Sequence, residues 1–181
     1  IGSNINPRKN IIAGLEALSN RFGPVATSST YLSQAVGFSG PPFLNLVARI
    51  ETHLDVVPLL AEFRELEYRF GRPLIVNKFS SRHLDIDLLT YDDLAGDCCG
   101  AVLPRPEITF NAHVLCPFAE LAPNLVLPNQ HRTLAALWLS FDDKSQKLCR
   151  FSDIELQPSN GRPAAGISHD NHNMSYAGSA R

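Results

Sequence analysis

The sequence predicts an α+β protein in which helices cover a mainly antiparallel sheet. Apolar side chains recur every three or four positions over residues 8–22 and 55–70, which is the helical period. Two strand-like segments, residues 25–33 and 43–52, separate these helices, and a third follows at residues 82–89. Two consecutive strands between helices favour antiparallel pairing over a doubly wound parallel sheet. A ferredoxin-like sandwich with extra C-terminal helices is the simplest fold with this order of elements.

Local signals delimit the first strand and the first helix. Residues 1–4 are typical of a strand that enters a turn, and because the first residue is Ile rather than Met we expect the start of this strand to be missing. Pro7 suits the first turn of the helix, and Gly23 with Pro24 ends it. The apolar stripe of this helix consists of Ile11, Ile12, Leu15, Leu18 and Phe22.

The second half of the chain contains a long connection and two more helices. Asp55 is placed to cap the second helix and Gly71 to stop it. Residues 72–82 then form a connection that is longer than usual, and such connections inside compact domains are more often functional than idle. Helical patterns return at residues 112–121 and 132–139.

Composition indicates one folded domain followed by a polar tail. The 181 residues are 44% hydrophobic and 19% charged, which is ordinary for globular proteins. Residues 1–150 are sufficient for one domain with a hydrophobic core. Residues 157–181 contain mostly small and polar side chains, so we expect this tail to be disordered.

Charge, hydropathy and cysteine content exclude several classes of protein. A net charge of −2 argues against nucleic-acid binding, and no apolar run is long enough to span a membrane. The four cysteines show no C-x-x-C spacing and no disulfide framework, which is typical of reduced thiols in the cytoplasm. We therefore expect a cytoplasmic protein that binds neither nucleic acid nor membrane. We also expect a monomer, although none of these features bears on the oligomeric state.

Two carboxylates within the strand-like run at residues 82–89 are the main functional signal. Strand side chains alternate between faces, so Asp85 and Asp87 point the same way, whereas the intervening Ile86 points the other way. Paired carboxylates repel one another unless a cation neutralises them, and Mg²⁺ commonly takes one or two carboxylates plus substrate phosphates. The ordinary alternative is an exposed strand face with surface ion pairs.

Cations precede this strand. Arg72, Lys78 and Arg82 all lie in the long connection, and a basic loop beside an acidic pair is typical of a metal–phosphate site. The sequence contains no G-x-x-x-x-G-K-[ST] motif, so phosphate would be bound by side chains and metal rather than by a P-loop.

Five short motifs, in order and at matching spacing, carry a resemblance to a known family. They are Ile1-Gly2-Ser3-Asn4, Phe43-Leu44-Asn45, Glu67 with Gly71-Arg72, Arg82-x-x-Asp85-x-Asp87, and Leu103-Pro104 followed by Leu115-Cys116-Pro117-Phe118-Ala119-Glu120-Leu121-Ala122-Pro123. With these motifs the chain resembles 6-hydroxymethyl-7,8-dihydropterin pyrophosphokinase of folate biosynthesis, from Ile1 to about Leu139.

The resemblance implies a reaction and a set of site residues. ATP would donate its β,γ-pyrophosphoryl unit to the pterin hydroxymethyl oxygen and leave as AMP, with two Mg²⁺ ions held by Asp85 and Asp87. The resemblance also implies phosphate contacts from Arg72 and Arg82. Further ATP contacts implied by the resemblance are Glu67, Lys78, Leu88 and Arg105.

The same resemblance implies a pocket for the flat, polar pterin. Asn45 offers a donor and an acceptor to the pterin edge, and Phe43 is the nearby aromatic residue. The remaining pterin contacts that the resemblance implies are Ser33, Gln34, Ala35, Val36 and His113.

Several positions depart from the family pattern. Arg105 replaces a usual His, Asn111 a common Arg, and His113 a usual stacking Phe. Phe79 replaces a Trp, and Ser81 a Pro. These departures leave a catalytically impaired pterin- or nucleotide-binding homologue as the alternative to a working enzyme. A ferredoxin-like nucleic-acid module is a third hypothesis, which the acidic balance disfavours.

Overall fold

The computed structural model describes residues 1–73, 80–128, 130–142 and 146–151, together with the backbone of residues 174–178. It contains helices and antiparallel strands, which confirms the α+β class. The helices are α1 (Pro7–Phe22), α2 (Val56–Arg69), α3 (Ala112–Leu121) and α4 (Leu134–Leu139), with a 3₁₀ turn at Pro106–Thr109. The strands are β1 (Gly2–Ser3), β2 (Ala26–Thr27), β3 (Thr30–Ser33), β4 (Phe43–Asn45), β5 (Ala48–Glu51), β6 (Asp87–Tyr91), β7 (Gly96–Cys98), β8 (Ala101–Leu103), β9 (Leu148–Phe151) and β10 (Met174–Gly178).

Strand β1 joins the two halves of the sheet. Gly2 lies opposite Asn45 of β4 on one side and opposite Asp85 on the other, and both pairings are antiparallel. Strand β3 continues the sheet beyond β4, and β9 pairs with β3. Residues directly opposite one another in antiparallel strands point to the same face, so Asn45 and Asp85 share one face of the sheet.

The two faces of the sheet carry different helices. Leu44, Leu84 and Ile86 belong to a core that includes the apolar stripes of α1 and α2. Val47 and Leu89 point the other way and belong to a second cluster with α3 and α4. The face that bears Asn45 and Asp85 is therefore the face that α3 covers.

The helices begin and end where the sequence signals predict, but one predicted capping hydrogen bond is not made. Pro7 is at the start of α1, and Gly23, with φ 85°, follows its end. Gly71, with φ 91°, follows α2 in a conformation that favours glycine. Asp55 precedes α2 as expected, but its side chain makes no capping hydrogen bond.

Three strands besides β10 lie where the sequence pattern did not indicate them. Strands β7 and β8 form an antiparallel hairpin within residues 96–103, and β9 follows the last predicted helix. Among the described residues, no helix has both the length and the apolar composition needed to cross a membrane.

Residues 174–178 form strand β10, whereas the sequence composition predicts that residues 157–181 are disordered. Its backbone pairs antiparallel with β5 on one side and with β6 on the other, so that Ala177 is opposite both Ala48 and Leu88. Backbone pairing of this kind needs few apolar side chains, which is why composition did not indicate it. The expectation stays a prediction for the rest of the tail, which lies outside the described residues.

Strand β10 also lies end to end with β1. Gly178 is opposite Asp87, and Gly2 is opposite Asp85 on the same neighbouring segment. The Ile1 nitrogen donates a hydrogen bond to the Leu46 carbonyl, which continues the pairing along the other neighbour. The two segments therefore occupy successive positions of a single row in the sheet.

We predict that Tyr176→Pro removes protection from hydrogen exchange at the amides of β5 and β6 and lowers Tm by ~3 °C or more, because proline has no backbone N–H to donate. The Tyr176→Ala variant, which keeps the backbone N–H, is the matched control. Equal protection and Tm in the two variants would mean that β10 does not pair in solution.

Candidate active site

The alternation expected around the acidic pair is present in the structure. Leu84 and Ile86 are buried in the hydrophobic core. Asp85 and Asp87 instead line a cavity of about 500 Å³, and Asp85 is buried whereas Asp87 is partly exposed. The i, i+2 spacing thus brings both carboxylates to one cavity.

Basic and acidic side chains from four segments share this cavity. Glu67 comes from the last turns of α2, and Arg72 follows the glycine that ends that helix. Arg82 precedes the acidic strand, whereas Arg105 and Glu107 come from the segment after β8. All the expected phosphate-binding arginines therefore line the same cavity as the acidic pair.

Two arginines are ion-paired with the carboxylates. The Arg72 guanidinium lies 2.5 Å from Glu67 and 3.7 Å from Asp85. The Arg105 guanidinium lies 3.5 Å from Asp87 and 3.3 Å from Glu107. Each aspartate thus lies beside an arginine, which offsets part of the repulsion between the two carboxylates.

The Glu67 carboxyl has a raised pKa in this cavity. Burial raises the pKa of its carboxyl from the ordinary 4.5 to about 7, and the charges of Asp85 and Asp87 act in the same direction. The Ile86 N–H, which donates to Glu67 Oε1 at 2.9 Å, and the Arg72 charge oppose that rise. The carboxylates of Glu67, Asp85 and Asp87 are therefore close enough to repel one another, and a cation among them would relieve that repulsion.

The raised pKa of Glu67 predicts a dependence of stability on pH. Because the folded-state pKa is the higher one, the unfolded carboxyl loses its proton first, and stability falls as pH rises from about 4.5 to about 7. In metal-free buffer, Glu67→Gln should gain roughly 1–3 kcal/mol in unfolding free energy relative to wild type over that interval. Urea unfolding at both pH values measures this gain, with Glu65→Gln, an exposed position on α2, as the matched control. A constant difference between Glu67→Gln and wild type would contradict the prediction.

The backbone of Arg82 is fixed by the turn after β1. The Arg82 N–H donates to Asn4 Oδ1 at 2.7 Å, and the Arg82 carbonyl accepts from the N–H groups of Asn4 and Ile5 at 3.0 and 3.1 Å. The Asn4 amide also donates to the Pro41 carbonyl and to the Ser81 hydroxyl. The Gly2-Ser3-Asn4 motif therefore positions Arg82.

The acidic pair fits a divalent cation that takes its other ligands from phosphate and water. Asp85 and Asp87 supply hard oxygen donors on one wall of the cavity, and Glu67 adds to the negative potential. Within the described parts of the chain, no group of three or more His, Cys, Asp or Glu side chains could hold a metal alone. A metal at this site would thus depend on substrate oxygens.

A second cavity, of about 470 Å³, lies beside the start of α3. Its walls come from the end of β3, from the first residues of α3 and from the segment that enters β9. They consist of Ser33, Gln34, Ala35, Val36, Asn111, Ala112, His113, Gln146, Lys147 and Leu148. Five residues expected to contact the pterin, namely Ser33 to Val36 and His113, are thereby brought together.

Asn45 and Phe43 lie next to this cavity rather than in its lining. The Asn45 side chain is buried and donates to the Ser33 hydroxyl at 2.9 Å. Phe43 pairs with Ser33 across the strands, and its ring meets Phe38 edge to face with centroids 6.3 Å apart. Ser33 therefore links both residues to the cavity.

The two cavities are close enough to serve one reaction. Asn45, Gly2 and Asp85 lie in one row of three adjacent strands, so the backbones of Asn45 and Asp85 are about 10 Å apart. The segment from Arg105 to His113 contributes to the first cavity at one end and to the second at the other.

Some expectations from the sequence differ from the structure or lie outside it. The Leu88 side chain packs in the hydrophobic core and does not line the first cavity, so its expected contact with ATP has no side-chain support. Lys78 lies outside the described residues. Glu107 and Gln146 were missed, because only their long-range neighbours give them a place in the cavities.

Comparison with known proteins agrees with the resemblance in the motifs. A family model described as 7,8-dihydro-6-hydroxymethylpterin-pyrophosphokinase matches residues 1–123. The 2-amino-4-hydroxy-6-hydroxymethyldihydropteridine pyrophosphokinase of Haemophilus influenzae is 35% identical over 133 residues, which is 71% of this chain and 82% of the relative. The proteins of the same name from Pseudomonas aeruginosa and Synechocystis are 34% and 30% identical over 71% and 76% of this chain, and over 82% and 71% of their own lengths.

Proposed function

Because this chain belongs to the 7,8-dihydro-6-hydroxymethylpterin-pyrophosphokinase family, we propose that the cavity around Asp85 and Asp87 is where it transfers pyrophosphate from ATP to hydroxymethyldihydropterin in folate biosynthesis. The products are the pterin diphosphate and AMP. The observation that carries the location is the convergence of Asp85, Asp87, Arg72, Arg82 and Arg105 on one cavity.

The chemistry requires charge neutralisation more than covalent help from the protein. The pterin hydroxymethyl oxygen attacks the β-phosphorus of ATP and loses its proton to solvent, the bond from that phosphorus to the AMP oxygen breaks, and negative charge passes to AMP. Arg82 would bind phosphate oxygens through its guanidinium, and Arg72 and Arg105 would hold the two aspartates in place. The ion pairs within the cavity support the roles of Arg72 and Arg105.

Mg²⁺ is the metal that these donors suit. We propose two ions held between Asp85, Asp87 and the phosphate oxygens, where they would supply charge neutralisation. Glu67 would remain outside the metal ligands, since the Ile86 N–H and Arg72 already occupy its oxygens. Its place beside Arg72 supports a role in orienting that arginine toward the nucleotide.

The second cavity is the proposed pterin site. The Asn45 amide and the backbone of residues 33–36 offer donors and acceptors to the polar edge of the bicycle, and the His113 ring would stack on its face. The backbone of Asn45 is roughly 10 Å from that of Asp85, which leaves room for the hydroxymethyl group and the reacting phosphate.

The remaining assignments are proposals of the same kind. Strand β1 lies between β4 and the Asp85 segment, α1 follows β1 and α2 follows β5, which supports a ferredoxin-like sandwich. Residues 1–150 include both cavities. We further propose a cytoplasmic monomer. The four cysteines are free in the structure, which supports a reducing compartment.

The direct test of this function is AMP release from ATP in the presence of Mg²⁺ and the reduced pterin alcohol, with the pterin diphosphate identified by mass. AMP and the pterin diphosphate should form in equal amounts, and neither should form when the pterin is omitted. Binding of ATP and pterin with no turnover would instead support the impaired homologue.

A further inference from the structure

The first turn of α3 is capped by a side chain from a distant segment. Asn111 occupies the position before the helix, but its side chain makes no capping hydrogen bond. Gln146 Oε1 instead accepts from the Ala112 N–H at 2.9 Å, and Gln146 Nε2 donates to the Phe110 carbonyl at 2.8 Å. One amide thereby satisfies a helix-end donor and the carbonyl that leads into the helix.

Gln146 is itself held in place by the sheet. Strand β9 begins two residues later, and its first residue, Leu148, lies opposite Ser33 of β3. Gln146 and Ser33 both line the second cavity. The Gln146 side chain thus connects the strand edge on one side of this cavity with the helix on the other side.

The opposite end of α3 is attached separately. Glu120 accepts hydrogen bonds from the Ser29 N–H at 3.1 Å and from the Tyr31 hydroxyl at 3.0 Å, which ties the last turn of α3 to β3 and the residues before it. These contacts fix the C-terminal end of the helix. Its first turn is held by the Asn111 N–H, which donates to the Glu107 carbonyl at 3.0 Å, by burial of Val114 and Leu115 in the core, and by the two hydrogen bonds of Gln146.

We propose that Gln146 is a positioning residue, which fixes the first turn of α3 and so sets the position of the His113 ring in the pterin cavity. Gln146 accepts a hydrogen bond from the Ala112 N–H, and His113 is the next residue in the chain. The His113 side chain is buried and lines the same cavity as Gln146. The identification of the ligand as a pterin rests on the proposed function, whereas the placement of His113 by Gln146 is independent of it.

The test uses two variants that separate shape from hydrogen bonding. Gln146→Met keeps the length of the side chain but loses both hydrogen bonds, whereas Gln146→Glu keeps an acceptor for the Ala112 N–H and loses the donor to Phe110. Gln130→Met is the matched control, because Gln130 lines neither cavity. Calorimetric titration measures pterin affinity in the presence of a saturating, non-reactive ATP analogue, and ATP-analogue affinity without pterin.

We expect Gln146→Met to weaken pterin binding about tenfold and Gln146→Glu to weaken it less, with ATP-analogue affinity within about twofold of wild type. The His113 ring signal, assigned in NMR spectra by its loss in His113→Phe, should shift or broaden in Gln146→Met without any ligand. Gln130→Met should leave both readouts unchanged.

Three results would overturn the proposal. These are an unchanged His113 signal, an equal loss of affinity for both ligands, and an unchanged affinity for pterin in Gln146→Met. Because the NMR readout needs no ligand, a wild-type protein that binds no pterin would contradict the proposed function, while the His113 signal still decides the role of Gln146.

Discussion

Replacing either Asp85 or Asp87 by Asn is expected to lower kcat at least about a hundredfold, because each change removes a carboxylate that would hold the charge-neutralising metal beside the reacting phosphate. The fold should persist, since each change also relieves repulsion among the carboxylates of the first cavity, where both aspartates raise the pKa of Glu67. The measurements are steady-state AMP release over a range of Mg²⁺ concentrations, and Tm without metal.

The matched control is Asp93→Asn, an exposed aspartate that follows the same strand. It should leave kcat and its Mg²⁺ dependence unchanged. If Asp85→Asn or Asp87→Asn retained near-normal turnover, that residue would have no part in the metal site.

The second large effect is expected at Arg82. Its guanidinium lines the cavity, while its backbone is held by Asn4, so Arg82→Ala removes the charge without releasing the segment. We expect kcat/KM for ATP to fall about a hundredfold, which is the scale for loss of a phosphate-directed cation at a reacting centre. The kcat/KM of Arg82→Lys should lie between those of wild type and Arg82→Ala, because an ammonium keeps the charge but not the bidentate geometry.

Arg69→Ala, an exposed arginine in the last turn of α2, is the control for a general loss of positive charge. Titration with the ATP analogue should show weakened binding for Arg82→Ala and wild-type affinity for Arg69→Ala. A variant that binds the analogue normally and turns over normally would exclude Arg82 from phosphate recognition.

The Arg72 ion pairs show how the sequence and the structure complement each other. The sequence indicated Arg72 as a cation near the phosphates, and the structure adds its contacts with Glu67 and Asp85. These contacts arise because Gly71 ends α2 and turns the chain back on itself, so that the Arg72 N–H donates to the Glu67 carbonyl at 3.0 Å. A glycine signal predicts the end of the helix, but not the direction in which the next side chain points.

The sequence by itself determined the features that repeat at short range. The period of two around Ile86 placed Asp85 and Asp87 on one face, and the helical period with its proline and glycine signals gave α1 and α2. The ordered motifs identified the family, because each motif is a short stretch whose residues are neighbours in the chain.

Only the tertiary structure decided the contacts that join distant segments. Gln146 reaches a helix that begins 34 residues earlier in the chain, and β10 pairs with strands that lie far before it. Such contacts form where the fold leaves backbone N–H and C=O groups without a local hydrogen-bond partner. A local sequence pattern does not show which groups those are. The expected contact of Leu88 with ATP came from the resemblance alone, and strand alternation turns its side chain away from Asp87 and into the core, where tertiary packing buries it.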